Sequence, residues 1–276
     1  METNVGLMSK LRYVYYDYWQ EDGDPRVKLF PMMNGGPWIV LTILAVYLYF
    51  VKYLGPSFMK NRQPFDLRRL IFWYNVFLVA CNSFFFINGL YYTKFGLTTL
   101  YCVPPDPNAF DPVWRYKLWV GWCFFFSKFI DLLDTIFFVL RKKFNQVSTL
   151  HVVHHTLMPI MCWAGFKYVP SETVAFTPLI NSFVHVVMYS YYALSTMGPK
   201  IKPYLWWKKY LTQLQIVQLV LVLIHTSYIV FTPRCEVPKI LFVIGLPQVI
   251  LILAMFCSFF LKTYKKGETN HHMKSS

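Results

Sequence analysis

Charged residues are scarce in this 276-residue chain: Asp, Glu, Lys and Arg together make up 14% of it, while 56% is apolar and 20% aromatic. A soluble domain carries roughly a quarter charged residues. Here the apolar residues also fall in blocks far longer than a soluble core needs, so a water-soluble fold is excluded and a bilayer is the expected solvent. Cysteines at metal-binding spacing are missing too. No C-x-x-C occurs and no two of the six cysteines lie closer than about 20 residues, which removes zinc ribbons and similar clusters. The chain also lacks an Asn-x-Ser/Thr sequon and any low-complexity segment, and one domain with two tails is expected. Neither a metal, nor another cofactor, nor a nucleic-acid partner is expected.

Long apolar runs dominate what remains. Seven stretches approach the roughly 20 apolar residues that span a hydrocarbon core: about 37–53, 70–92, 114–140, 150–168, 172–196, 204–232 and 238–261. The expected fold is therefore all-α and integral to a membrane, with seven transmembrane helices. Some 35 residues rich in acids and aromatics precede the first run, and no small-residue cleavage site follows it, so it reads as a retained helix rather than a signal peptide. The expected organisation is an N-terminal segment over 1–36, a seven-helix domain over 37–261 and a tail over 262–276.

Acids are the scarcer sign, 13 against 27 bases, for a formal net charge of +14. Segments 52–69, 141–148, 197–209 and the tail from 262 fall on one side of a seven-span topology and collect 16 of the 27 bases, with only Asp66 and Glu268 against them. That side is the cytosol by the positive-inside rule, which leaves the N-terminus lumenal. The same charge attracts anionic headgroups and also suits a polyphosphate ligand. Cys102 and Cys235 then face the oxidising lumen and are expected to pair. Cys81, Cys123, Cys162 and Cys257 sit inside spans as small core residues.

Polar side chains inside spans are costly, so those present mark cavities or one another. They collect in spans three to six, near the ends assigned to the cytosol. In K-F-I-D-L-L-D-T, Lys128, Asp131 and Thr135 share one helix face, either as an ion pair that joins two helices or as part of a site. Span four opens with His151, His154 and His155 at i, i+3 and i+4, three imidazoles on one side of its first turns. Such a trio suits metal binding, acid–base chemistry or nucleophilic chemistry. Span five places Asn181, His185, Met188 and Tyr192 on one stripe, with Tyr189 and Tyr191 beside it. Span six carries Thr212, Gln215 and Gln218 at steps of three, a pocket lining or a set of interhelical hydrogen bonds.

These motifs resemble the family of elongases of very-long-chain fatty acids, the membrane 3-ketoacyl-CoA synthases. The similarity runs from Asn61-Arg62-Gln63-Pro64-Phe65 through span seven, and its core is K-F-I-D-L-L-D-T, H-V-V-H-H, H-V-V-M-Y-S-Y-Y and Thr212-x-x-Gln215-x-x-Gln218 in the family's order. Asp131 departs from the family's usual Glu. The run R-K-K-F-N-Q-V-S-T-L, with Gln146 five residues before His151, is most similar to the animal long-chain branch. The resemblance implies an endoplasmic-reticulum protein whose spans two to seven form a six-helix barrel, built of two inverted three-helix units, around an acyl-chain tunnel. The tunnel it implies is closed at the lumenal end and open to the cytosol. It implies the condensing step of elongation, in which long-chain acyl-CoA and malonyl-CoA give 3-oxoacyl-CoA, CO2 and CoA, with reductases and a dehydratase as partners completing the cycle. Lys274 lacks the second lysine of a dilysine retrieval signal, so the compartment rests on the resemblance. A homo-oligomer is compatible with the sequence.

The residues supply a match for each half of such a substrate. Apolar, aromatic spans accept an acyl chain at roughly 0.8 kcal/mol per buried CH2. Lys128, Arg141, Lys143, Gln146, Lys208 and Thr212 sit at the basic rim, where CoA phosphates would find charge-assisted partners. His154 is the expected nucleophile, attacking the thioester to give an acyl-imidazole, with His185 as the second participating imidazole. His151 and His155 orient groups, while Asn181, Tyr191 and Gln215 donate to the thioester or enolate oxygen. Histidines acting only as general bases are the alternative mechanism. Two other classes compete: a metal-dependent membrane desaturase or hydroxylase, which also carries H-x-x-H-H boxes, and a seven-helix transporter or receptor.

Overall fold

The computed structural model describes residues 6–102, 104–233, 235 and 237–265. Glu268, Lys274 and the rest of the tail after 265 lie outside them. Every regular element among the described residues is helical. The long ones are α1 Trp38–Met59, α2 Arg68–Tyr92, α3 Pro112–Ile130, α4 Leu133–Leu140, α5 Thr149–Tyr168, α6 Phe176–Thr196, α7 Lys208–Phe231 and α8 Lys239–Phe260. Each of the seven apolar stretches thus falls on helix. Four helical stretches are long and apolar enough to cross a membrane: α1, α2, 202–231 containing α7, and 242–264 within and just beyond α8. The chain is an all-helical integral membrane protein by that measure. Helices α3, α5 and α6 have the length but fall short in apolarity, and they are the ones that carry the Lys/Asp pair, the histidine box and the tyrosine-rich stripe.

The third stretch departs from expectation. A single helix over 114–140 is expected, yet the chain is interrupted at Asp131 and Leu132, which separate α3 from α4. Around the interruption the amides of Leu132, Asp134 and Thr135 donate to carbonyls three residues back, at 3.2–3.3 Å. A tightened turn of this kind eclipses residues i and i+3. The interruption begins at Asp131, whose buried carboxylate is held by Lys128 one turn earlier, Nζ to Oδ2 at 3.1 Å.

The chain divides into two compact units. The first holds the chain up to Pro64 with 104–147 and 151–171, hence α1, α3, α4 and nearly all of α5. In α1 a π-type turn over Phe50–Leu54 precedes Gly55-Pro56, where the proline removes an amide donor and crowds the carbonyl four residues back. Gly55 permits close packing on α4, since a Cβ there would lie 2.7 Å from a methyl of Val139. Helix α3 starts at Asp111, whose carboxylate accepts from the amides of Val113 and Trp114 with Pro112 in the first turn, a favourable N-cap.

The N-terminal segment is folded onto this unit rather than trailing from it. Consecutive carbonyls of Pro31, Met32 and Met33 accept from Trp122 Nε1 at 3.0 Å, Trp163 Nε1 at 2.9 Å and Lys167 Nζ at 2.7 Å. Met32 has φ +67° and Gly35 φ +85°, so no helix satisfies these carbonyls and side-chain donors do so instead. A buried Asp24–Arg26 pair at 2.7 Å, with Arg26 also donating to the Pro170 carbonyl, completes the attachment.

The second unit holds 65–103, 148–150 and the chain from 172 onward, hence α2, α6, α7 and α8. Helix α2 packs along α6, and α7 packs on both α6 and α8. Gly89 lets α2 approach Leu179 of α6, since a Cβ would fall 2.8 Å from that side chain. The loop after α2 is tied down by the Cys102–Cys235 disulfide, with Cα atoms 5.1 Å apart. Thr173 donates to the carbonyl of Tyr101 at 2.8 Å, and His225 Nε2 lies 2.9 Å from that of Thr99. His225 is buried and stacked on Phe176, a histidine serving the loop's backbone. The expected cysteine pair is present, and the other four cysteines form no disulfide.

Candidate active site

In the first unit the interrupted third span and the start of α5 come together. Lys128 Nζ lies 3.1 Å from Asp131 Oδ2, both side chains buried, and the ammonium also sits over the Phe124 ring at 4.4 Å. The pair lies within one segment, with Lys128 in the last turn of α3 and Asp131 at the start of the interruption. One turn on, Thr135 Oγ1 is 2.8 Å from His151 Nε2 and 2.8 Å from the hydroxyl of Tyr47. Thr135 is fully buried and Tyr47 nearly so.

The three box histidines share a face as their spacing requires. His151 and His155 rings lie 4.2 Å apart at 38°, and His154 meets His155 edge-on at 5.5 Å. Phe138 of α4 packs against His151 at 5.3 Å. All three imidazoles are half-buried. Among the described residues no three of His, Cys, Asp and Glu are grouped to hold a metal ion. The arrangement offers a row of nitrogens backed by an aromatic wall, suited to nucleophilic or general-base work on a carbonyl compound.

The basic segment after α4 owes its shape to a left-handed residue. Lys142 has φ +54°. The amides of Lys142 and Lys143 donate to the carbonyls of Val139 and Phe138 at 3.0 and 2.8 Å, the paired bonds of a Schellman ending with lysine in the place glycine usually takes. Arg141 is half-buried, and Lys143 and Gln146 are exposed, with Gln146 on a short 3-10 turn.

In the second unit the stripes of α6 and α7 meet. Gln215 Nε2 approaches Met188 Sδ at 3.4 Å, which aligns the Thr212/Gln215 row with the Asn181/His185/Met188/Tyr192 row. His185 is buried and lies edge-on to fully buried Tyr189 at 5.5 Å. Asn181 is half-buried. Tyr191 packs edge-on against Trp207 at 4.9 Å. Thr212 is buried with its hydroxyl turned back toward the Lys208 carbonyl at 3.4 Å, and Lys208 is exposed. An apolar cavity of about 280 Å³ lies between α2, α6 and α7, lined by Phe86, Phe183, Val184, Leu214 and Gln218 among others.

Sequence reasoning missed Tyr47, Trp163 and Lys167. Tyr47 stands in an apolar run with no polar neighbour at helical spacing, and its only signal is a phenol hydroxyl in mid-span that needs a partner.

Fold and site together define an all-helical membrane protein with a histidine cluster on one face of α5. Residues 32–272 match the ELO: GNS1/SUR4 family, and the chain belongs to that family. It is 42% identical to "Very long chain fatty acid elongase 7" of Rattus norvegicus, over 92% of this chain and 90% of that protein. It is 41% identical to "Very long chain fatty acid elongase 1" of Homo sapiens, over 92% and 90% respectively. Against "Very long chain fatty acid elongase 7" of Drosophila melanogaster the identity is 36%, over 95% of this chain and 84% of that protein.

Proposed function

We propose that the chain joins malonyl-CoA to a long-chain acyl-CoA through its histidine box. Its family and its relatives make it a condensing enzyme of fatty acid elongation, an acyltransferase of lipid biosynthesis. The observation that carries the mechanism is the packing of half-buried His151, His154 and His155 on one face of α5. A neutral imidazole there can attack a thioester without first losing a hydration shell.

In the first half-reaction a nitrogen of His154 bonds to the acyl carbon, the C–S bond breaks, and the CoA thiolate takes up the imidazole proton. In the second, malonyl-CoA loses CO2, the resulting enolate carbon bonds to the acyl carbon, the C–N bond breaks, and the departing imidazole takes a proton from solvent water. His151 and His155 orient groups around His154. We assign His185 as the second participating imidazole, and Asn181, Tyr191 and Gln215 as donors to the developing oxyanion. Lys128, Arg141, Lys143, Gln146, Lys208 and Thr212 are assigned to the CoA head. No cofactor takes part, and malonyl-CoA is the co-substrate.

The seating belongs to the same proposal. Seven helices cross the endoplasmic-reticulum membrane with the N-terminus lumenal and the C-terminus cytosolic, and the last six close into the barrel implied by the resemblance. The domain bounds remain 1–36, 37–261 and 262–276. Reductases and a dehydratase take the product onward. The test is purified protein given malonyl-CoA and long-chain acyl-CoA: 3-oxoacyl-CoA and CO2 form, and a chelator leaves the rate unchanged. A transporter or receptor would produce neither product, and a chelator-sensitive oxidation would favour a desaturase or hydroxylase.

A further inference from the structure

The first long helix reaches the histidine box through two hydroxyls. Tyr47 belongs to the apolar core of the first unit, with Leu44, Val51, Phe125 and Leu132. Its hydroxyl lies 2.8 Å from Thr135 Oγ1, which lies 2.8 Å from His151 Nε2. Nothing in the condensing chemistry calls on Tyr47 or Thr135, yet both hydroxyls are buried and aligned on one imidazole nitrogen.

We infer that Tyr47 and Thr135 are positioning residues that hold His151 in the tautomer with its proton on Nδ1. A threonine hydroxyl has a single proton and here two neighbours, so it donates to one and accepts from the other. A phenol is the stronger acid and hence the better donor, so Tyr47 donates to Thr135 and Thr135 donates to His151 Nε2. The nitrogen that accepts this bond carries no proton. His151 therefore presents a fixed Nδ1–H donor, as hydrogen bonds set the tautomer of imidazoles generally. Packing on both sides fixes the ring, with Phe138 at 5.3 Å and His155 at 4.2 Å. The interruption before α4 matters here, because Thr135 stands in the first turn after it and the tightened turn sets where its hydroxyl points.

This inference rests on the proposed role of the box, so its test must separate the two. Initial-rate condensation kinetics are compared for wild type, Thr135→Val, Thr135→Ser and Tyr47→Phe, with His154→Ala as control. Thr135→Val keeps the volume and removes the hydroxyl, and kcat falls about tenfold with KM for both substrates within about twofold of wild type. Thr135→Ser restores the hydroxyl and brings kcat back to within about twofold of wild type, while Tyr47→Phe lowers it about threefold. Wild-type kcat in Thr135→Val, or Ser as impaired as Val, overturns the inference. Should Thr135→Val fail to fold, Tyr47→Phe decides, and an unchanged kcat there overturns it. An inactive His154→Ala beside a normal Thr135→Val sinks this inference alone, whereas an active His154→Ala sinks the role of the box itself.

Discussion

Lys128 and Asp131 form a buried ion pair of 3.1 Å at the interruption between α3 and α4. Removing one partner of such a pair takes a buried counter-charge from the other, a loss of about 3–5 kcal/mol. Asp131→Asn is therefore expected to lower the thermal midpoint of the purified protein markedly. Replacing both, as Lys128→Met with Asp131→Leu, recovers stability to within about 1 kcal/mol of wild type. Because Lys128 is also assigned to the CoA head, the double variant is expected to be stable with a raised KM for acyl-CoA. An Asp131→Asn protein that melts like wild type contradicts the structural role.

The Cys102–Cys235 bond closes a loop over 133 residues of sequence. A random-chain treatment of so long a loop gives an upper bound of about 5 kcal/mol, and helices that stay inserted when the unit opens reduce it. Thiol titration of the denatured protein should find four free cysteines without reductant and six with it. The Cys102→Ser/Cys235→Ser variant should melt earlier than wild type and be indifferent to reductant. Six titratable thiols in the untreated protein would contradict the bond.

The clamp on Pro31, Met32 and Met33 predicts how the N-terminal segment is released. Trp163→Phe keeps an aromatic ring and deletes the donor to the Met32 carbonyl, a loss of about 1–3 kcal/mol if that carbonyl is left unpaired. Limited proteolysis in detergent should then cut within the first 36 residues faster than in wild type. Lys167→Met, which removes the buried donor to Met33, should do so more strongly. Equal cutting rates in all three proteins would mean that the segment is held by other contacts.

Much of this was legible in the sequence, for reasons that differ by feature. Apolar run length located the helical stretches, four of them long and apolar enough to cross a membrane, because backbone groups that leave water must pair within a helix. Three histidines at i, i+3 and i+4 had to share a face once span four was a helix, and the Thr/Gln row of α7 met the α6 stripe at Gln215 and Met188. Cys102 and Cys235 were expected to pair because both fall in segments assigned to the lumen, and they form the disulfide. The interruption at Asp131–Leu132 was not legible, since residues three and four apart are near neighbours in a 3-10 turn as in an α-helix and the pattern reads alike for both. Nor was the N-terminal clamp, because its acceptors are backbone carbonyls, which leave no mark in a sequence. Tyr47 escaped for a related reason: its partner lies 88 residues away.

The account turns on His154, and the most direct measurement is 3-oxoacyl-CoA formation by purified wild type and His154→Ala across a series of acyl-CoA lengths. Folding is monitored by the thermal midpoint of each protein. Product is expected to vanish at every length in His154→Ala with the midpoint unchanged. Turnover near the wild-type level in that variant would contradict the assignment and remove His154 from the chemistry.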